Sequence, residues 1–98
     1  MKCRLGLEAE ADLDAISGYV AEANPRAAQT LVEQFDRRFS LLERLPNAGR
    51  ARPEYGTDIR SLTVHPYVIL YRVEPEAVVV VRIVHGARDI EAMLRRSS

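Results

Sequence analysis

The segment that most restricts the fold is the run AVVVVRIVH, from Ala77 to His85. Valine and isoleucine branch at Cβ and favour β-strands, so this run predicts a strand. Successive side chains of a strand point to opposite faces of its sheet. The run is apolar on both faces, because that alternation gives two sets: Val78, Val80 and Val84, and Val79, Val81 and Ile83. We therefore expect both faces of the sheet to be covered.

The rest of the second half also has the composition of strands. The segments IRSLTVH (59–65) and YVILYRVE (67–74) are rich in β-branched and aromatic residues. Turn-like breaks, HP and EPEA, lie between these segments and the valine run, so the three strands predict an antiparallel meander. The preceding segment NAGRARPEYGTD (47–58) has no periodicity and contains two glycines and a proline, which predicts a loop.

The first half predicts a short strand, KCRLGL (2–7), followed by two helices. Apolar residues recur every three or four positions from about Glu8 to Ala23, which indicates the first helix. Asn24 is a favourable helix cap and Pro25 suits the first helical position, so a second helix begins there and ends before Pro46. The link is short, so the two helices should form an antiparallel hairpin.

This order of elements predicts an α+β fold in a single domain, residues 1–98. It consists of an N-terminal strand, the helical hairpin, the three-stranded antiparallel meander and a short C-terminal tail helix. The hairpin covers one face of the sheet. The other face needs either the tail helix, whose apolar residues are Ile90, Met93 and Leu94, or a segment of a partner protein. Partner binding is therefore expected to be part of the fold.

Composition limits the classes of function. Fourteen basic and fourteen acidic residues cancel, which argues against a general nucleic-acid binder. Residues 46–98 carry eight basic and six acidic groups, so an anionic partner would dock there. Cys3 is the sole cysteine, so no intrachain disulfide is expected, and we expect no metal or cofactor. The longest apolar run has five residues, far short of the about 20 that span a bilayer, so we expect a cytoplasmic protein.

The chain resembles the RelE/ParE toxin superfamily, and within it the ParE branch, over nearly its full length. The resemblance lies in the order of elements and in LERLPNAGRARPEYGTDIRSLTVHPYVILYRVE followed by VVRIVHGARDI. Its most telling pieces are Pro46 and Gly49 after the long helix, Ile59-Arg60 at the start of the meander, YVILYRV, and RIVHGARD. The early AEADLDAISGYVAE is similar to the first helix of that family.

The resemblance implies the toxin of a bacterial type II toxin–antitoxin pair. Such a toxin poisons DNA gyrase by binding it, is neutralised by a cognate ParD-like antitoxin, and contacts DNA only through that antitoxin. RelE-like relatives share the fold but cleave mRNA on the ribosome. A ribosome-dependent endoribonuclease is therefore the alternative function.

For the ribonuclease alternative, the candidate catalytic residues are His85, Arg60, Arg82 and Arg88. A metal-independent ribonuclease needs a proton-transferring group and cations for the phosphorane charge. RNA-cleaving relatives typically have a basic sheet face and often a tyrosine near the C-terminus. Here no tyrosine follows Tyr71 and no lysine follows Lys2, so we expect no catalytic residues. His85 is then a strand-end histidine bonded to a nearby carbonyl, with Gly86 permitting the turn into the tail.

For the binding function, an acidic, amphipathic antitoxin segment is expected to lie across this region. Its apolar side chains would cover Val79, Val81 and Ile83 or their neighbours on the opposite face of the strand, and its carboxylates would meet some of Arg60, Arg82 and Arg88. Arg60 and Arg82 lie among apolar residues, so each needs a carboxylate, either from this chain or from the antitoxin. Arg88 and Asp89 form a surface pair, begin the tail helix with Asp89 as its cap, or belong to the interface. Ile90, Met93 and Leu94 either fold back on the sheet or contact gyrase.

Overall fold

The computed structural model describes residues 1–97, except for the side chains of residues 96 and 97. Its strands are β1 (Lys2–Leu5), β2 (Arg50–Ala51), β3 (Ile59–Val64), β4 (Tyr67–Val73) and β5 (Ala77–His85). Its α-helices are α1 (Leu7–Ala23), α2 (Pro25–Arg44) and α3 (Ile90–Ser97), and a short 3₁₀-helix spans Pro53–Tyr55. None of the helices in this range has the length and apolar character needed to cross a membrane.

The helical hairpin forms where the sequence predicts it, because one residue ends α1 and caps α2. The backbone N–H of Asn24 donates to the carbonyl of Val20, and its side-chain oxygen accepts a hydrogen bond of 3.1 Å from the N–H of Ala27. Pro25 occupies the first turn of α2. The apolar stripe of α2 is buried at Ala28, Leu31, Phe35 and Leu42.

The sheet has the strand order β1-β5-β4-β3-β2 among the described residues. Strands β3, β4 and β5 pair antiparallel in sequence order, as the meander requires. Strand β1 adds to β5 in the parallel direction, with Cys3 opposite Val78. The sheet is therefore a mixed, five-stranded sheet, of which the predicted meander is the antiparallel part.

The predicted loop 47–58 contains regular structure. Arg50 and Ala51 pair antiparallel with Ser61 and Arg60, and the 3₁₀-helix follows. The prediction of a loop is wrong at these positions because a two-residue edge strand is too short to show periodicity and depends on its partner strand. The chain returns to β3 through Gly56, at φ 142°, and Asp58, at φ 67°, which are conformations that favour glycine and tolerate aspartate.

A β-bulge in β5 changes which of its side chains share a face. Leu70 pairs with Arg82 but the next residue, Tyr71, pairs with Val80, so Val81 is an extra residue in β5. Beyond the bulge the alternation is shifted by one residue. Ile83 therefore joins Val78 and Val80 instead of Val79 and Val81, and the expectation that Ile83 shares a face with those two valines is wrong.

Two apolar clusters lie on opposite faces of the sheet. The cluster beneath the hairpin contains Ala9, Leu31, Phe35, Leu42, Val64, Ile69, Tyr71, Val78, Val80 and Ile83. The cluster on the second face contains Ile59, Leu70, Val84 and Ile90, with Tyr55, Val68, Val81, Met93 and Leu94 packed against it. The second face is thus partly covered by α3, one of the two expected coverings, and also by Tyr55 of the 3₁₀-helix.

Candidate functional site

Arg82 of β5 binds carboxylates of α1. Its Nε lies 2.7 Å from Oδ2 of Asp12 and its second guanidinium nitrogen lies 3.1 Å from Oδ1, a two-pronged arrangement. Glu8 lies 3.5 Å from another guanidinium nitrogen. The hydrogen bonds to Asp12 raise the pKa of Arg82 above its ordinary value. The expectation that Arg82 has a carboxylate partner is confirmed, and that partner belongs to the same chain.

Asp12 also protects the edge of the sheet. Its Oδ2 accepts a hydrogen bond of 2.9 Å from the N–H of Ile83, at a point that β1 does not reach. Glu43 of α2 does the same for β1, where its carboxylate accepts a 2.9 Å bond from the N–H of Cys3. Each helix of the hairpin therefore provides one carboxylate that occupies an outward-facing strand N–H, so that this particular N–H is not available to another strand.

Arg60 is bound to main-chain carbonyls and not to a carboxylate. One of its guanidinium nitrogens donates to the carbonyl of Gly49 at 2.8 Å and to that of Asn47 at 3.4 Å. No carboxylate of the described residues pairs with Arg60, because the chain reversal after α2 presents these carbonyls beside β3. The other expected partner of Arg60, an acidic residue of an antitoxin, stays a prediction.

Tyr71 holds the same reversal from the other side. Its hydroxyl donates to the carbonyl of Pro46 at 2.9 Å and accepts from the N–H of Gly49 at 2.8 Å. Burial raises the pKa of this phenol. A Cβ at Gly49 would lie 2.6 Å from both the Tyr71 hydroxyl and the Ser61 carbonyl oxygen, so this position requires glycine. Pro46, Gly49 and Arg60, which carry much of the resemblance, thus form one structural unit.

Arg52 is a further anchoring residue, one that the sequence did not point to. Its guanidinium donates to Glu54 at 3.0 Å, to the hydroxyl of Ser61 at 3.2 Å and to that of Tyr55 at 2.6 Å. It also lies 4.4 Å from the centre of the Tyr55 ring. The backbone N–H of Glu54 and the Arg52 guanidinium lower the pKa of Glu54. Arg52 fixes the 3₁₀-helix against β3, and no regular spacing in the sequence signals it.

His85 ends β5 with its ring packed edge-on against Tyr67, at 5.7 Å between ring centres. Its Nδ1 accepts a 3.1 Å hydrogen bond from the N–H of Ala87, so the expected carbonyl partner is wrong. A neutral ring that accepts at Nδ1 carries its proton on Nε2. The turn that follows is closed by two bonds: Gly86 N–H donates to the carbonyl of Pro66, and Arg88 N–H donates to that of His85.

The first candidate site, which we call the β5-end cleft, has a volume of about 560 Å³. It lies between α1, the end of β5 and α3, and His85, Arg82 and Arg88 all line it. Arg60 lines a different cavity, of about 350 Å³, on the β2 side of the sheet. The structure therefore brings together three of the four candidate catalytic residues and separates the fourth.

The second candidate site, which we call the second-face groove, has a volume of about 550 Å³. Val79, Val81, Arg82 and Leu94 line it, and Leu7, whose side chain is 86% exposed, lies at its rim. Of the residues expected to bind an antitoxin, the groove therefore contains Val79, Val81 and Arg82. Ile83 is 2% exposed and packs under the hairpin instead.

The tail folds back on the sheet. Asp89 caps α3, since its carboxylate accepts a 3.1 Å bond from the N–H of Ala92, which is one of the roles that the sequence left open for it. Ile90 is 6% exposed, and Met93 and Leu94 pack against the second-face cluster. Arg88 is exposed and forms no salt bridge with another described residue, Asp89 included.

The fold and these surfaces define a small α+β protein of the RelE/ParE class of toxins. The family model of the ParE toxin of type II toxin-antitoxin system, parDE, matches residues 4–90. Toxin ParE3 of Caulobacter vibrioides is 31% identical over 88 residues, which are 89% of this chain and 88% of that protein. The chain therefore belongs to the ParE family of type II toxins, and the resemblance found in the sequence is confirmed.

Other relatives extend across the superfamily. Toxin RelE2 of Caulobacter vibrioides is 38% identical over 79 residues, 80% of this chain and 86% of that protein. A chain of the chromosomal ParDE TA system from P. aeruginosa superposes with a TM-score of 0.74 and 27% identity, covering 87% of this chain and 95% of that chain. A chain of the toxin-antitoxin complex RelBE2 from Mycobacterium tuberculosis gives a TM-score of 0.58 and 28% identity, covering 86% and 95%.

Proposed function

We propose that this toxin acts by binding DNA gyrase, without catalysis, and that a ParD-like antitoxin neutralises it in the cytoplasm. The observation that carries the proposal is that two of the arginines a ribonuclease would need are already engaged. Arg82 is bound by Asp12 and Arg60 by the carbonyls of Gly49 and Asn47. A phosphate would have to displace the Asp12 carboxylate to reach Arg82 in the same geometry.

The antitoxin would cover the second-face groove. Val79, Val81 and Leu94 give the groove an apolar lining, and the exposed Leu7 extends that apolar surface. An amphipathic antitoxin segment would bury these side chains, and an acidic residue of that segment would lie near Arg82, which lines the same groove. An antitoxin partner is supported by the solved relatives, which come from the ParDE toxin–antitoxin system of P. aeruginosa and the RelBE2 toxin–antitoxin complex of Mycobacterium tuberculosis.

The surface offered to gyrase remains a separate proposal. Ile90, Met93 and Leu94 are our candidates for that contact, but Ile90 is 6% exposed and all three pack on the second face. Their contact with gyrase therefore requires α3 to move away from the sheet. Residues 1–98 are proposed to act as one toxin domain.

The test is a supercoiling assay with purified gyrase, together with an assay of ribosome-dependent transcript cleavage. We expect the wild-type toxin to inhibit supercoiling and to leave transcripts intact. His85→Ala should inhibit supercoiling as the wild type does, and the exposed His65→Ala serves as its matched control. Normal supercoiling in the presence of the toxin, with transcripts cut, would remove the gyrase proposal.

The ribonuclease remains a second candidate because His85, Arg82 and Arg88 line one cleft and because Toxin RelE2 is among the relatives. In that mechanism His85 would serve as the general acid or base, and Arg82 and Arg88 would meet a phosphate. His85→Ala would then abolish transcript cleavage while ribosome binding persists, whereas His65→Ala would cleave normally.

A further inference from the structure

Strand β5 continues beyond the end of its neighbour β1. The two strands pair from Ala77 to Val80, and the last main-chain bond between them runs from the N–H of Gly6 to the carbonyl of Val80. The remaining residues of β5 pair only with β4 on their other side. Their outer edge faces the β5-end cleft, where α1 stands beside the strand.

Main-chain groups of Ile83 and His85 point outward at this edge. The Ile83 N–H points outward, because it donates to Asp12. In antiparallel pairing the N–H and C=O of one residue point the same way and the direction alternates along the strand, so the Ile83 carbonyl and the His85 N–H also point outward. The His85 carbonyl there already accepts from Arg88. The Ile83 carbonyl and the His85 N–H therefore have no partner among the described residues.

The spacing of these two groups selects the direction of an added strand. In parallel pairing, a residue of the added strand that lies opposite residue i donates its N–H to the carbonyl of residue i−1. Its own carbonyl accepts from the N–H of residue i+1. Ile83 and His85 are the positions on either side of Val84 and offer that pattern. Antiparallel pairing would need the N–H of Ile83 or the carbonyl of His85, and both are occupied.

The charges and side chains around the edge indicate what kind of peptide fits. Asp12, the carboxylate lining the cleft, is neutralised by Arg82 at 2.7 Å. Arg88 is exposed at the rim and has no salt bridge to a described residue, so the rim is positive. Tyr19, 76% exposed, and Tyr67 supply aromatic walls. An extended acidic segment with an apolar residue between its acidic ones complements this surface.

We propose that an extended, acidic segment of the antitoxin adds to β5 as a parallel strand. It would bond the Ile83 carbonyl and the His85 N–H and place a carboxylate against Arg88. This inference rests on the proposed function, because it takes the antitoxin as the partner. It adds a second attachment point, separate from the second-face groove, on the opposite side of Arg82.

The test compares the free toxin with its complex with the cognate antitoxin protein, using amide hydrogen exchange read by NMR. The His85 amide should exchange at least tenfold more slowly in the complex. The Ile83 amide is an internal reference, because it is already bonded in the free protein and should change less. Titration calorimetry then compares the antitoxin affinity of two variants at exposed alanines of α1. Ala15→Trp fills the β5-end cleft, whereas Ala11 lies outside both the β5-end cleft and the second-face groove, so Ala11→Trp is the control.

We expect Ala15→Trp to weaken antitoxin binding by at least tenfold and Ala11→Trp to bind within about twofold of the wild type. A complex in which the His85 amide stays unprotected, and which Ala15→Trp forms as tightly as the wild type, would overturn the strand addition alone. If the wild-type toxin forms no complex with the antitoxin, the proposed function fails and this inference fails with it.

Discussion

Asp12 and Arg82 connect the first helix to the last strand through two side-chain hydrogen bonds of 2.7 and 3.1 Å, across 70 residues of sequence. Each side chain is 17% exposed. The same carboxylate accepts from the N–H of Ile83, so it neutralises a guanidinium and occupies a strand edge at once. Arg82 lines both the β5-end cleft and the second-face groove, so this pair sets the shape of both candidate sites.

Arg82→Ala should lower the free energy of unfolding by about 2 kcal/mol, because it leaves the partly buried Asp12 without its charged partner. Arg37→Ala is the matched control. Arg37 faces Glu33 at 3.8 Å on the exposed surface of α2, and removing such a pair should cost less than about 0.5 kcal/mol. Urea unfolding of both variants measures the difference. Equal losses would mean that the Asp12–Arg82 pair contributes no more than a surface pair.

The parts of the fold that the sequence predicts are those set by local pattern. Asn24 and Pro25 mark the junction of the two helices by themselves, and β-branched residues mark β3, β4 and β5. The capping role of Asp89, one of the roles that the sequence left open, follows from the same local chemistry. These features depend on neighbours within a few residues, so a single sequence contains the information they need.

The features that decide the site depend on contacts between distant parts of the chain. A two-residue β2 exists only because β3 lies beside it, and the extra Val81 that moves Ile83 to the other face is set by pairing with β4. Arg60 and Arg82 look alike in the sequence, yet one meets carbonyls and the other carboxylates. Which of the expected binding residues share a surface could not be predicted for that reason.

Tyr71→Phe tests whether the reversal after α2 depends on one hydroxyl. Without it, the N–H of Gly49 and the carbonyl of Pro46 lose their partner in a buried setting, which should lower the free energy of unfolding by about 1 to 3 kcal/mol. Tyr19→Phe is the control, because Tyr19 is 76% exposed and should be neutral. Thermal unfolding of the two variants gives the comparison, and a Tyr71→Phe melting temperature equal to that of Tyr19→Phe would exclude the role.

The thiol of Cys3 should be unreactive at neutral pH. Burial, with a smaller effect of the Glu43 carboxylate, raises its pKa from 9.0 to about 11, so the nucleophilic thiolate is scarce. Alkylation by iodoacetamide at pH 8 should be roughly 100-fold slower in the folded protein than in urea, which is the ratio of thiolate fractions for two pH units. Mass spectrometry follows a single site, because the chain has one cysteine. Equal rates would show that the thiol is not buried in solution.

The same shift makes stability depend on pH. The folded pKa is raised above the unfolded value, so the thiol contributes fully below pH 9.0 and loses that contribution as the pH rises towards about 11. Over this range the wild-type protein should lose more stability than Cys3→Ala, which lacks the titrating group. Parallel losses in the two proteins would assign the decline to other groups, such as Tyr71, whose pKa burial also raises.

Gly49 and Gly18 offer opposite outcomes for the same substitution. A Cβ at Gly49 would lie 2.6 Å from the Ser61 carbonyl oxygen and from the Tyr71 hydroxyl, and one of these contacts is main chain that cannot move without disturbing β3. Gly49→Ala should therefore destabilise the fold by about 2 kcal/mol or more and separate Tyr71 from Pro46. Gly18 lies in α1 with nothing within 4 Å of an added Cβ, so Gly18→Ala should stabilise the helix by about 0.5 to 1 kcal/mol. Chemical unfolding gives the free energy of unfolding of both variants. A Gly49→Ala protein as stable as the wild type would mean that Gly49 lies farther from Ser61 and Tyr71 than the structure shows.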